Sequence, residues 1–290
     1  MRATNRCRCP SIRTDPSTIR SPSKKWYARK VLALATYSSD VMLDFNSHDL
    51  SEQLAALVDA AMEREAGSRP ARAYLGASSL GEECSRRLQF QFFDAAKDCG
   101  RHFPGRVLRV FQRGHQMEEW MAGWLRVAGF DLRTHDAAGQ QFGFETAGGR
   151  VRGHIDGVIV GGPDSFRYPM LWENKAVGGK TFRELQRKRL ALSRPVYATQ
   201  VALYQAYLGL HEHPALFTAI CADDMSIYAE RVVFDRGLAQ RASDRAVEIL
   251  RACDTAELLP RISTTPTHQT CRGCAWQDRC WSLPSPTTLH

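Results

Sequence analysis

No stretch of the 290 residues approaches the roughly 18 consecutive apolar positions a membrane-spanning helix needs, which excludes a helical membrane anchor. Glycine (21) and proline (13) are too sparse for a collagen-like or low-complexity chain. There is no internal repeat and no GxxxxGK[ST] loop, so any coupling to ATP would have to come from another protein. No convincing secretory leader is expected: the apolar segment 31–36 is short and sits behind an overlong basic stretch. What is present is ordinary for a soluble globular protein, with 43% hydrophobic and 24% charged residues and enough length to bury a core. A cytoplasmic location is expected.

The net charge of +8 is unevenly placed. Residues 1–41 hold nine Lys/Arg against two Asp, leaving 30 basic and 29 acidic residues in 42–290. The high pI therefore belongs to the N-terminal segment, and net charge does not argue that the body binds nucleic acid. Segment 1–41 is rich in Arg, Ser and Pro without sustained periodicity, which predicts disorder. Three readings compete for it: a DNA-binding arm, a transit peptide, or an upstream extension of a protein that begins at Met42. The third is favoured because organised patterning starts just after Met42. Residues 42–290 are then expected to form a single domain with its core at about 106–255.

Patterning predicts a helix from Asp49 to Gly67 with a stripe of Leu50, Leu54, Leu57, Val58, Ala61 and Met62. A second helix is expected from Ser79, with Glu82 as capping-box partner, carrying Cys84, Leu88 and Phe92. A third spans 106–129, with Met117, Trp120, Met121 and Trp124 as core positions. Short strands follow at 130–134, 141–146, 150–160 and 170–176, then helices at 180–192 and 196–209 split by Pro195. Strands at 216–222 and 226–234 and a helix at 236–253 complete an α/β pattern with a mixed central sheet flanked by helices.

Chemistry concentrates in Gly153-His154-Ile155-Asp156-Gly157 and Leu171-Trp172-Glu173-Asn174-Lys175. Glu173 and Lys175 are two apart on a strand and share a face. Asp156, on the preceding strand of a hairpin, can lie beside Glu173. Two adjacent carboxylates make a hard oxygen site suited to Mg²⁺ or Mn²⁺, with the Asn174 backbone carbonyl as a further ligand. A lysine alongside can orient water or stabilise phosphorane-like charge. Glu-x-Lys on a strand is usually a solvated pair. Here the strand is otherwise apolar, so charge on it calls for a reason.

The cysteines offer a second site. Three of the nine, Cys271, Cys274 and Cys280, fall within ten residues, and clustered cysteines in a cytosolic chain bind metal more often than they form disulfides. Their spacing suits a tetrahedral thiolate site holding either zinc or iron–sulfur. Cys99, Cys221 and Cys253 are expected to be buried as small hydrophobes.

The GHID and ENK segments resemble motifs II and III of the PD-(D/E)XK nuclease superfamily, in its RecB-like branch. Further likenesses are His115 on the upstream helix and Gln200-x-x-x-Tyr204 on the helix after the lysine strand. Cys84 before the core with Cys271, Cys274 and Cys280 after it matches the iron–sulfur subgroup. The likeness spans about 76–282 and extends to phage-encoded exonucleases and CRISPR-adaptation nucleases. It implies that His115, Asp156 and Glu173 are metal ligands and Lys175 the catalytic lysine. Gln200 would orient the lysine or the attacking water, and Tyr204 would position its helix or contact DNA. It also implies a 4Fe–4S clasp on the four cysteines, with structural zinc as the alternative. The function it implies is a metal-dependent DNA nuclease, an exonuclease of phage-type recombination or repair, with DNA and a recombination or helicase protein as partners. The alternatives are a CRISPR-adaptation-type nuclease and a catalytically silent binding module of the same fold.

Overall fold

The computed structural model describes residues 48–70 and 72–283. The chain divides into units Met1–Leu54 and Ala55–His290. Only the start of helix α1 (His48–Gly67) represents the first among the described residues. The expectations for 1–41 lie outside the described residues. Among those that are described, no helix is long and apolar enough to cross a membrane.

Two sheets organise the second unit. Strands β2 (Asp131–Arg133), β5 (Gly157–Gly161), β6 (Met170–Val177), β7 (Ala215–Cys221) and β8 (Ile227–Val232) form a five-stranded sheet in the order β2-β5-β6-β7-β8. Only β6 and β7 are parallel; the other pairings are antiparallel, so the sheet is mixed. A smaller sheet has the order β1-β4-β3, with β1 (Leu75–Gly76) parallel and β3 (Gly143–Thr146) antiparallel to β4 (Val151–His154). The single strand expected at 150–160 is thus two strands in different sheets. They part at Ile155-Asp156, because Gly157 pairs with Trp172 while Gly143 pairs with His154.

Both faces of the five-stranded sheet are covered, as the apolar β6 and β7 require. On one face Leu171, Val177, Phe217, Ala219 and Cys221 pack with helices α4 (Gly179–Ser193), α5 (Pro195–Tyr207) and α6 (Arg236–Asp254). On the other, Met170, Trp172, Leu216 and Ile220 pack with Met117 and Met121 of α3 (Gly105–Val127). Strand β7 is buried at every position, whereas edge strand β8 alternates. Pro195 opens α5 at its first turn, where its missing N–H costs nothing.

Several expectations on packing need correction. The stripe on α1 does not enter the core: Leu54 is 60% and Leu57 70% exposed. The helix is fixed through polar atoms instead, with Glu63 accepting the Gly105 N–H at 2.8 Å and Asp59 paired with Arg109. Trp120 and Trp124 lie on the outer side of α3 at 44% and 41% exposure, while Met117 and Met121 face inward. No helix starts at Ser79; Ala77–Ser79 is a 3₁₀ turn, and α2 (Ser85–Phe92) begins after Cys84. The Ser79 hydroxyl donates back to the Gly76 carbonyl, which removes it as a helix cap. Cys99 is exposed, unlike Cys221 and Cys253.

Candidate active site

The break between β4 and β5 creates the position of Asp156. Two glycines frame it. A Cβ at Gly153 would lie 2.6 Å from both the Tyr204 and the Phe144 rings. A Cβ at Gly157 would lie 2.7 Å from Leu132 and 2.8 Å from the Arg133 carbonyl. No side chain fits at either position, so the chain can press Asp156 against β6. There the Asn174 N–H donates to Asp156 Oδ2 at 2.7 Å.

On β6, Glu173 and Lys175 share the face that carries Leu171 and Val177, the face covered by α5. Glu173 is fully buried. Its Oε1 accepts from Lys175 Nζ and, at 2.7 Å, from Gln200 Nε2, which also donates to the Tyr204 hydroxyl at 3.2 Å. Its Oε2 is buried with no hydrogen-bond partner among the described residues. Tyr204 is itself buried, its hydroxyl tied to Gln200, so it braces the helix from within. Lys175 also lies 5.3 Å from the Tyr197 ring centre.

Asn174 points to the opposite face. Trp172 Nε1 donates to Thr218 Oγ1 at 3.0 Å, and Thr218 Oγ1 donates to Asn174 Oδ1 at 2.8 Å. This relay holds the strand segment whose N–H grips Asp156. It was not legible in the sequence, because Thr218 lies on a strand 44 residues away and within no motif.

The electrostatics are those of crowded carboxylates. Burial, then the neighbouring Asp156 charge, pushes the Glu173 carboxyl up to about 8 despite Lys175. Burial also raises Asp156, against the pull of Lys175 and the Asn174 N–H. Glu118 of α3 is pushed up to about 7 by burial and by Asp156. Burial would lower the Lys175 ammonium, but Glu173 and Asp156 outweigh it and hold it above its ordinary value. His115 is exposed on α3 and reaches the group only as a charge acting on Asp156.

The structure thus brings together Asp156, Glu173, Lys175, Gln200 and Tyr204, with Glu118 beside them and His115 further out. Among the described residues, no three His, Cys, Asp or Glu side chains are drawn close enough to enclose a metal ion. The donor set nonetheless fits a hard divalent cation. Burying carboxylates together is costly, and the orphaned Glu173 Oε2 is the kind of atom such a cation would satisfy.

The four cysteines also converge. Cys84, at the N-terminus of α2, lines one pocket with Cys271, Cys274 and Cys280 from the C-terminal helices α7 (Gln269–Arg272) and α8 (Gln277–Ser282) and the turn between them. All four are free thiols. Burial, then the proximity of Cys84 and Cys280, pushes the Cys271 thiol up. Against them lies Arg86, fully buried, its Nη1 3.7 Å from Cys280 Sγ and its Nη2 without a partner among the described residues.

A family model described as the PD-(D/E)XK nuclease superfamily matches residues 17–281. The chain belongs to the PD-(D/E)XK nuclease superfamily. No curated protein matches it. Among solved structures, this superfamily member is similar to an alkaline exonuclease (LHK-Exo) from Laribacter hongkongensis. The likeness has 14% identity and a TM-score of 0.45, covering 69% of this chain and 93% of that one. The same enzyme in complex with dAMP matches with 14% identity and a TM-score of 0.45, covering 69% and 92%.

Proposed function

We propose that the protein is a Mg²⁺- or Mn²⁺-dependent DNA nuclease that hydrolyses phosphodiester bonds, acting as an exonuclease in recombination or repair. The observation that carries this reading is the fully buried Glu173, with one oxygen held by Lys175 and Gln200 and the other orphaned beside Asp156. Asp156 and Glu173 would hold the ion, with His115 and the Asn174 carbonyl completing its shell. When bound, such an ion supplies Lewis-acid stabilisation of the scissile phosphate. The protein's own groups do the rest. Lys175 places a fixed ammonium at the reacting face, where it stabilises charge developing on phosphorus oxygens. Gln200 pins Glu173 Oε1 and so fixes which carboxylate oxygen faces the substrate.

The cysteine pocket supports a second part of the reading, a structural metal clasp joining the chain before the core to the chain after it. A buried Arg86 with no carboxylate partner among the described residues fits an anionic tetrathiolate site, since a buried cation needs a counter-charge. The RecB-like pattern favours a 4Fe–4S cluster over zinc there.

Cleavage of DNA labelled at the 5′ or 3′ end, with and without Mg²⁺ or Mn²⁺, tests the proposal. Metal-dependent release of mononucleotides or short products is expected, and it should be abolished in Asp156→Ala and Glu173→Ala. Variants that cleave at the wild-type rate at saturating metal would refute the site.

A further inference from the structure

A second cleft, away from the carboxylates, carries chemistry that the nuclease site does not use. It opens between the segment that leads into α2 and α3 and the turn that holds Cys274. Its lining includes Arg72, Tyr74, Lys97, Arg101, Phe103 and Trp276, with Asp94 the only carboxylate among the described residues that line it. That sign imbalance is local, because residues 42–290 as a whole are nearly neutral.

The aromatics are arranged differently from a core. Phe103 is 50% exposed. The Lys97 ammonium sits 4.9 Å from the centre of its ring, and Phe111 meets it edge-on at 5.1 Å. Tyr74, half-buried, has the Arg152 guanidinium 5.2 Å from its ring centre. Exposed or half-exposed rings with cations at their faces offer stacking surfaces flanked by phosphate partners. Trp276, by contrast, is buried and serves as floor, its indole N–H bonded to the Ala95 carbonyl at 2.7 Å.

The two walls are stitched together. The Asp98 carboxylate accepts the Asp278 and Arg279 N–H groups at 2.7 and 3.1 Å, and the Asp98 N–H donates to the Ala275 carbonyl at 2.9 Å. Arg101 donates to the Arg272 carbonyl and to Gln277. Arg101 is therefore committed to the walls, and Arg87 is paired with Glu82 at 3.1 Å. Arg72 and Lys97 form no ion pair among the described residues. The cleft is thus pre-formed, with cations left over.

Its inner end reaches the catalytic elements. Ser78 and Ser79 line the cleft and belong to the 3₁₀ turn that follows β1. In that turn Ala77 packs where a Cβ on Gly153 would also touch Tyr204. Strand β1 runs parallel to β4, which leads directly to Asp156.

We propose that this cleft binds the single-stranded portion of a DNA substrate, with bases stacked on Phe103 and Tyr74 and phosphates met by Arg72 and Lys97. The proposal rests on reading the chain as a DNA nuclease and assigns where its substrate lies. A duplex is disfavoured because its paired bases cannot reach ring faces inside a cleft.

The test is the affinity of a fluorescent oligothymidylate for the full chain without added divalent ions, beside a duplex of equal length. Binding is thereby read separately from cleavage. The wild type should prefer the single strand. Phe103→Ala should weaken that binding about tenfold, since one base–aromatic stack is lost, and leave duplex binding unchanged. The double variant Arg72→Gln, Lys97→Gln should lower the salt slope by about 1.4, given about 0.7 per phosphate contact on a single strand. Circular dichroism and thermal melting should match the wild type, because these side chains are outside the core. Unchanged single-strand affinity in both variants would overturn the proposal. Equal weakening of single strand and duplex, with no effect of Phe103→Ala, would overturn it in favour of general polyanion attraction. Loss of cleavage in Asp156→Ala with oligothymidylate binding intact would leave both readings standing. Cleavage intact with the cleft silent would sink this inference alone.

Discussion

Glu173→Gln in protein without added divalent ions isolates what the buried carboxylate costs. Glu173 is fully buried and its carboxyl is raised from 4.5 to about 8, first by burial and then by Asp156. A carboxyl whose folded-state affinity for a proton exceeds its unfolded value favours the folded state least when ionised. Its penalty is absent below about pH 4.5, grows as pH rises, and is complete above about 8. At 1.36 kcal/mol per pH unit, carrying the whole difference on Glu173 sets an upper bound of about 5 kcal/mol. Asp156 and Glu118 are raised too and push in the same direction, while Lys175 is raised and stays charged across this window. Urea denaturation at pH 5.5, 7 and 8.5 should therefore show the wild type losing stability as pH rises. Glu173→Gln should flatten the curve between pH 5.5 and about 8, and added Mn²⁺ should restore the wild type at pH 8.5 by binding the ionised form. A wild-type stability independent of pH over this range, or a fall of equal size in the variant, would refute the electrostatic account.

Lys175→Ala should lower turnover by about 10²-fold or more, as loss of a group that stabilises transition-state charge does, while Mn²⁺ affinity changes only a few-fold. Parallel measurement of kcat and of Mn²⁺ binding by electron paramagnetic resonance checks this, and equal losses would contradict a purely chemical role. Gly153→Ala should cost about 1–3 kcal/mol by overpacking and reduce activity, since the new methyl meets Tyr204 and Phe144 at 2.6 Å. Thermal melting and cleavage rates of that variant decide it. Cys84→Ala should lose iron or zinc and melt well below the wild type, whereas Cys99→Ala, at an exposed thiol, should not. A shared metal across the 187 positions from Cys84 to Cys271 closes a loop worth up to about 5 kcal/mol by analogy with a long disulfide. Metal content and absorption of each variant are the measurements.

The features legible in the sequence were those written in local spacing. Glu173 and Lys175 share a face because strand side chains alternate, and Pro195 marks the helix boundary because it lacks an N–H. The close approach at Gly153, where a Cβ would clash with the Tyr204 ring, was visible only in the fold. What depended on tertiary partners was hidden. The split at Ile155-Asp156 follows from pairing with two different strands, which no run of apolar residues encodes. The stripe on α1 carried the right period, yet Leu54 and Leu57 remain exposed among the described residues. The weight of Glu118, the Thr218 relay and the buried Arg86 came only from neighbours distant in sequence.

The central claim is that Asp156 and Glu173 together hold the divalent ion on which cleavage depends. Mn²⁺ binding to the wild type, Asp156→Asn and Glu173→Gln, followed by electron paramagnetic resonance from pH 6 to 9, tests it most directly. The account predicts a site in the wild type that strengthens as pH rises toward about 8, where the Glu173 carboxyl loses its proton, and that is lost in both variants. Mn²⁺ bound equally well by all three proteins would contradict it.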